Sequence, residues 1–459
     1  MSQSRKLLRL WLKKRRVGLS ATQIIAIAFA AIILLGTVLL SLPAASRNGQ
    51  SCGFRPALFT ATSATCVTGL VLYDTWTQWS GFGQTVIITL IEIGGLGFMS
   101  AASLFVFIFR RKVGLKQRML MAQALSLNEM ESVVKLQKWV IFGSLSVQLV
   151  GAIILMLRFL PEYGFRQAAI WGVFHAISAF CNAGFDIFGS ISNGDSIAIF
   201  NSDPVVLITL MALVIISGLG FLVWEEIVRV HNFKKFSVYT KLVLLTTGLL
   251  LFTGGVLFFL LEYNNPATLG SMSLGDKVMN AFFQSVTLRT AGFASFDQAG
   301  LTEAGKAVSI VFMLIGGSSG STAGGLKTVT FMVLLLFIWT KARGKNSVTV
   351  FRRTIPTDKV VDATTIALIM MVLAFFGGVF ISATSPIGFT DALYEAVSAL
   401  ATVGNTAGAT GSLSIAAQFL IIVFMYFGRV GVLTISLGFL MGDRAEERFR
   451  YAQTNLLIG

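Results

Sequence analysis

The stretches "ATSATCVTGL" (residues 61–70), "HAISAFCNAGF" (175–185), "FQSVTLRTAGF" (283–293) and "AVSALATVGN" (396–405) superimpose on one glycine each: Gly69, Gly184, Gly292 and Gly404. The glycines are 115, 108 and 112 residues apart, a near-constant period. Ten residues before each stands an aromatic: Phe59, Phe174, Phe282 and Tyr394. Six before stands Ser63, Ser178 or Ser398, with Val286 in the third copy. Such a period marks an internal repeat, one structural unit used four times.

Working outward, each segment lies between two long apolar runs. Runs long enough to span a bilayer, about 20 residues, recur at 21–42, 83–109, 138–160, 204–228, 240–262, 306–340, 363–385 and 416–440. The chain of 459 residues is 55% hydrophobic and 12% charged, about half the charge of a soluble domain. This composition reads as a helical integral membrane protein. A net charge of +15 would suit a nucleic-acid binder, but the basic clusters at 5–16, 110–118, 229–241, 341–353 and 444–450 all fall on one side of the spans. The positive-inside rule makes that side the cytoplasm, with both termini there. The first apolar run is too long for a signal-peptide core and reads as an uncleaved span.

A proline follows the first span of each repeat (Pro43, Pro161, Pro266, Pro386) and is expected to end it, lacking an N–H and clashing with the preceding turn. Each repeat therefore reads as span, proline turn, helix of about ten residues closing at the glycine, and second span. Ten residues cannot cross, so the short helix must enter the membrane and return, which is tolerated only where protein buries it or it lines a wet cavity. Repeats with an even number of spans share one orientation. The expected fold is an all-α integral membrane protein of four parallel, pseudo-fourfold repeats of span, re-entrant pore helix and span around one central pore. The boundaries are a basic N-terminus (1–20), repeats at 21–112, 136–230, 240–343 and 362–442, and a C-terminal tail (443–459).

At the end of each pore helix, glycine adopts positive φ without a Cβ penalty and can turn successive carbonyls toward one axis. Carbonyl rings replace the hydration shell of a cation, and helix C-termini aimed at the same point add partial negative charge. The expected ion-binding residues are Val67, Thr68 and Gly69; Asn182, Ala183 and Gly184; Thr290, Ala291 and Gly292; and Thr402, Val403 and Gly404. No carboxylate ring accompanies them, which points to a monovalent cation.

The second span of repeat three is interrupted by "GGSSGSTAGG", residues 316–325. The equivalent stretches in the other second spans are glycine pairs or triplets at 94–97, 218–220 and 428–431. Repeat three is read as having expanded a shared glycine hinge into a non-helical loop. A phosphate-binding loop is a poor match, because residues 320–328 read GSTAGGLKT with Leu326 displacing the lysine. Arg429, a charge inside the last span, is a functional candidate by position. Arg289, beside the third glycine, is expected to brace its loop against Glu395 or Asp391. Glu92, a carboxylate in the second span of repeat one, could face the pore or pair with a neighbour. Two histidines and three cysteines without ligand spacing argue against a metal centre.

The segments "SATCVTGLV", "HAISAFCNAGF", "TLRTAGF", "IGGLGF" and "FGRVG" resemble the Trk/Ktr/HKT superfamily of cation-uptake proteins, and most of all the membrane subunits of bacterial Ktr potassium systems. The resemblance runs over nearly the whole chain, from about residue 20 to 442. It implies potassium uptake across the bacterial plasma membrane, since relatives with serine in the first filter loop lean toward sodium and Gly69 stands there. A sodium- or ammonium-conducting protein on the same scaffold is the alternative. The resemblance also implies an intramembrane gate formed by Gly316, Gly317, Ser318, Ser319, Gly320, Ser321, Thr322, Ala323, Gly324 and Gly325, with Arg429 beside it. It further implies a homodimer and a cytosolic regulatory ring that carries ATP or ADP. The chain itself is expected to hold no cofactor beyond the K+ it transports, with Na+ a candidate activating or coupling ion, and to catalyse no reaction.

Overall fold

The computed structural model describes residues 21–97, 133–192 and 196–431. The basic clusters at 5–16, 110–118 and 444–450, and the termini expected at 1–20 and 443–459, lie outside the described residues. The described chain is almost entirely helical. In order come α1 (Ala21–Ser41), α2 (Phe54–Thr65), α3 (Thr75–Gln78), α4 (Gly81–Leu96), α5 (Val133–Cys181), α6 (Gly189–Ser192), α7 (Pro204–Leu219) and α8 (Phe221–Val230). There follow α9 (Val238–Glu262), α10 (Leu274–Thr287), α11 (Glu303–Leu314), α12 (Thr328–Ala342), α13 (Thr357–Thr384), α14 (Phe389–Leu400) and α15 (Ile415–Val430). A two-residue hairpin, β1 (Thr349–Val350) with β2 (Arg353–Thr354), connects α12 to α13.

The first and second spans of the repeats differ systematically. Among the described residues four helices are long and apolar enough to cross a membrane, and each begins a repeat: α1, the first part of α5, α9 and α13. Among the described residues the helices of the second spans are shorter, and two of the spans are broken. Helix α4 has 16 residues, α15 has 16, and α7 breaks from α8 with a bend of 91°. In repeat three, α11 and α12 are separated by a non-helical segment. Of the eight expected spans, those at 204–228 and 306–340 are thus interrupted. The sequence cause is glycine in a backbone state that other residues resist: Gly97 (φ 84°), Gly220 (φ 91°) and Gly431 (φ 97°) end α4, α7 and α15.

The short helices that follow the first spans exceed the ten residues expected. Helices α2, α10 and α14 have 12, 14 and 12 residues. In repeat two the short helix is continuous with the span in hydrogen-bonding terms, and the break falls at Gly164 (φ 74°). Pro161 lies inside the helix rather than ending it, the one place where the proline rule misplaces a boundary. The short helices form the centre of the molecule: Phe59, Tyr394 and Phe180 are fully buried. Phe282, at the third aromatic position, is half-buried and packs on Gly255.

Polar groups tie repeat three together and join it to repeat four. Glu262, at the end of α9, accepts hydrogen bonds from Thr302 N (3.1 Å), Thr302 Oγ1 (2.7 Å), Thr268 Oγ1 (2.8 Å) and Asn265 Nδ2 (2.6 Å). A buried carboxylate needs that many donors to offset its lost hydration. Lys306 of α11 reaches Asp391 of α14 at 2.8 Å, joining repeats three and four.

Candidate functional site: a ring of four loops and the segment beneath it

The residue one before each glycine closes the turn of its helix. Thr68 N donates to Ser63 O, Ala183 N to Ser178 O, Ala291 N to Thr287 O and Val403 N to Ser398 O, each at 2.8 Å. Repeat three differs by one position, so Thr287 and not Val286 takes the role of the serines. The residue two before each glycine lies in the left-handed region: Val67 (φ 56°), Asn182 (60°), Thr290 (69°) and Thr402 (52°). The glycines follow at 100°, 67°, 80° and 96°. Two positive-φ residues on either side of one residue that is not give each loop a strained, repeated course. Side chains at such angles cost about 1–3 kcal/mol each and persist only where the surroundings enforce them.

The four loops meet in chain order. A methyl group placed on Gly69 would stand 2.5 Å from the Ala183 carbonyl oxygen; one on Gly184 would stand 2.8 Å from that of Ala291. One on Gly292 would stand 2.6 Å from the Val403 oxygen, and one on Gly404 would collide with that of Thr68. Each glycine thus faces the preceding-residue carbonyl of the next loop, and the fourth returns to the first. All twelve residues expected at the site, Val67 to Gly69, Asn182 to Gly184, Thr290 to Gly292 and Thr402 to Gly404, are gathered into this closed ring. Hydroxyls support it from behind in two ways. Ser63 and Ser398 accept from the N–H of Gly69 and Gly404 (3.1 Å each), whereas Ser178 and Thr287 donate to Phe185 O and Phe293 O (2.6 Å each).

On one side the ring opens into a cavity of about 600 Å³ lined by all four glycines and by Asp74, Asp186, Asp297 and Asn405. Burial, and then the neighbouring charge of Asp74, push the Asp186 carboxyl up to about 7. On the other side lies the segment between α11 and α12. Its base is zipped by Gly316 N to Leu326 O (2.9 Å), Leu326 N to Leu314 O (2.9 Å) and Thr328 N to Gly317 O (3.0 Å). Its tip is non-helical, as expected, and touches the ring: Thr322 Oγ1 donates to Phe180 O at 3.1 Å, and a methyl group on Gly324 would strike Thr402.

Arg429 is fully engaged with backbone. It donates to Thr322 O in the segment, to Gly94 O, and to Gly95 O at 2.9 Å. The last carbonyls of α4 have no intrahelical partner, and a guanidinium there both bonds them and faces the negative end of the helix dipole. Lys327 Nζ, which sequence reasoning passed over, donates to Ala323 O at 2.8 Å. Its place four residues after Ala323, at the end of a glycine-rich segment, was the available signal.

Two expectations are corrected or resolved. Arg289 reaches neither Glu395 nor Asp391; its guanidinium is buried and donates to Thr247 Oγ1 at 3.4 Å. Glu395 instead accepts from Thr406 Oγ1 and from Thr410 Oγ1 (2.8 Å), and Asp391 takes Lys306. Glu92 pairs with neighbours, accepting from Gln148 Nε2 (3.0 Å) and Cys181 Sγ (3.3 Å). Asn405 sits in the cavity wall with its Nδ2 at 3.5 Å from Gln298 Oε1. His175 is a packing residue, stacked on Phe188 at 3.9 Å and bonded to Trp171 O.

Comparison with known proteins gives a consistent result. The family model described as TrkH, cation transport protein, matches residues 9–448. The potassium/sodium uptake protein NtpJ of Enterococcus hirae is 40% identical over 98% of this chain and 99% of its own length. The Ktr system potassium uptake protein B of Bacillus subtilis is 40% identical over 94% of this chain and 96% of its own. Among solved structures, the potassium transporter TrkH of Vibrio parahaemolyticus aligns with a TM-score of 0.72 at 18% identity, covering 93% of this chain and 86% of that one. That likeness is one of fold.

Proposed function

The chain belongs to the TrkH family of cation transport proteins, a multi-pass membrane family of transporters, and from that premise we propose that it takes up potassium through the ring of four loops. The observation that carries the proposal is the closed sequence of carbonyls, each pressed against the preceding loop's glycine. Such oxygens substitute for water around a monovalent cation. The repeats at 21–112, 136–230, 240–343 and 362–442 surround one pore, with the Asp74–Asp186 cavity as its outer mouth. The described basic stretches near 229–241 and 341–353 face the cytoplasm of a bacterium, as do both termini.

The segment at 316–325 is the gate in this reading. Its support is position: it lies against Phe180 and Thr402, on the side of the ring away from the acidic cavity, and is held by Arg429. Ktr-system relatives support a separate regulatory subunit, for which we propose a cytosolic nucleotide-binding ring acting on a homodimer of this chain. The name of the Enterococcus relative, a potassium/sodium uptake protein, favours Na+ as the second ion to examine.

The test is growth of an uptake-deficient bacterium on limiting potassium with the chain expressed, followed by uptake measured for K+ against Na+ and NH4+. Rescue at micromolar potassium with K+ preferred is the expected result. Failure to rescue growth, or equal uptake of Na+, removes the proposal.

A further inference from the structure

The bend between α7 and α8 is held by the gating segment itself. Helix α7 ends at Leu219, Gly220 takes φ 91°, and α8 leaves at 91°. A break inside a span strands the last carbonyls of one helix and the first N–H groups of the next. Inside a membrane these must be satisfied by protein. Here the partners come from the segment's tip. Ser318 N donates to Gly218 O at 3.0 Å, and Ser318 Oγ donates to Gly218 O at 2.9 Å and also to Leu219 O. In the reverse direction Phe221 N donates to Gly320 O at 2.9 Å. Tyr239, in the first turn of α9, completes the set by donating from Oη to Ser319 O at 3.0 Å.

The other glycine breaks are satisfied differently among the described residues. Arg429 covers the end of α4, and Gly431 N returns to Phe427 O in its own helix. Only the elbow of repeat two exchanges backbone hydrogen bonds with the segment tip. The tip cannot leave without orphaning those groups, unless α8 turns back toward the axis of α7 and restores helical bonding. Bent elbow with seated tip, and realigned helix with released tip, are therefore two discrete arrangements.

We propose that the α7–α8 elbow is the latch of the gate and that Tyr239 is its positioning residue; the inference rests on the reading of residues 316–325 as the gate. Helix α8 also offers a handle. Glu226 accepts from Ser237 N (2.6 Å), Ser237 Oγ (2.7 Å) and Thr240 Oγ1 (2.5 Å), so α8, the turn after it and the start of α9 move together. The turn presents exposed Arg229, Lys234 and Lys235, to which a partner with an acidic face can attach. Because α8 is 10 residues long, swinging it through the bend carries its far end by roughly 20 Å.

The test measures K+ flux through the full chain in liposomes without any partner. Tyr239→Phe and Ser318→Ala should each raise flux by about two- to tenfold, the equivalent of one lost hydrogen bond, with the K+/Na+ ratio unchanged. Spin labels at Arg229→Cys and Lys345→Cys, in a Cys52→Ser background, should report a longer or shorter distance when residues 318–323 are deleted. If that deletion raises flux while Tyr239→Phe and Ser318→Ala leave it unchanged and the label distance stays fixed, the gate stands and the latch is wrong. If the deletion itself leaves flux unchanged in a folded protein, the gate reading fails first and the latch with it.

Discussion

Two glycine-rich regions lie within touching distance of each other and use glycine for opposite ends. In the ring, each glycine makes room for a neighbour's carbonyl, and the hydrogen bonds that shape a loop stay within its own repeat. In the segment at 316–325, the tip bonds outward to α7, α8, α9, α5 and α15. The ring is made four times and each copy defines itself; the segment is made once and is defined by others. A self-defined structure holds its geometry under load, as coordination of an ion requires. One held by borrowed contacts can be released by moving the lender.

That contrast can be broken at several points. The largest effect belongs to deletion of residues 318–323, expected to raise partner-free K+ flux on the order of thirtyfold by removing the seated state while leaving K+/Na+ discrimination intact. Liposome uptake of both ions reads both quantities, and a loss of discrimination would mean that the segment also shapes the ring. Next comes Gly69→Ser. At φ 100° a side chain costs about 1–3 kcal/mol and meets the Ala183 oxygen, so K+ preference over Na+ should fall by about tenfold. Unchanged competition between the ions would remove Gly69 from the site.

Arg429→Ala should raise basal flux by about fivefold, the scale of one lost hydrogen bond of about 1 kcal/mol. It should also lower thermal stability, because the ends of α4 and of the segment lose a shared donor; lower flux at matched protein amount would assign Arg429 to packing alone. The smallest effect is one of external pH. With its carboxyl at about 7, Asp186 is charged at pH 8 and neutral at pH 6, so acidification removes negative charge from the mouth of the cavity. The KM for K+ should rise about twofold over that interval, a modest change because the cavity is open to salt, which screens charge at its mouth. Asp186→Asn should abolish the dependence, and an equal pH response in that variant would refute the assignment.

Much of this was legible in the sequence because it is periodic. Four aromatics and four glycines at a fixed spacing predict four helices ending in four loops, and the glycine-rich stretch at 316–325 predicts the non-helical segment of repeat three. What was hidden is what periodicity does not carry. Val67, Thr290 and Thr402 are β-branched residues at positive φ, a state their local preference opposes, and it is held by the hydrogen bond that the next residue's N–H makes back into the preceding helix. The break at Gly164 rather than Pro161 reflects a helix that tolerates proline where its first part ends. Arg289 was assigned a carboxylate by proximity in sequence logic, whereas Lys306 and the threonines at 406 and 410 had already taken the two candidates. The 91° elbow depends on groups 100 residues away and leaves no local trace beyond Gly220.

The clasp made by Arg429 also governs how the molecule comes into being. Its guanidinium meets the carbonyls of Gly94 and Gly95 across 335 and 334 residues of chain, and Tyr426 Oη reaches Ala26 O across 400. A ribosome adds about 5–20 residues per second, so the end of α4 waits on the order of 20 to 70 s for the side chain that completes it. Until the fourth repeat inserts, the first three form an open arc whose polar backbone faces whatever surrounds the nascent chain. Maturation of this protein is therefore an act of closure at the last repeat, and a chain cut short before residue 429 presents the cell with a gap that its quality-control proteases can read.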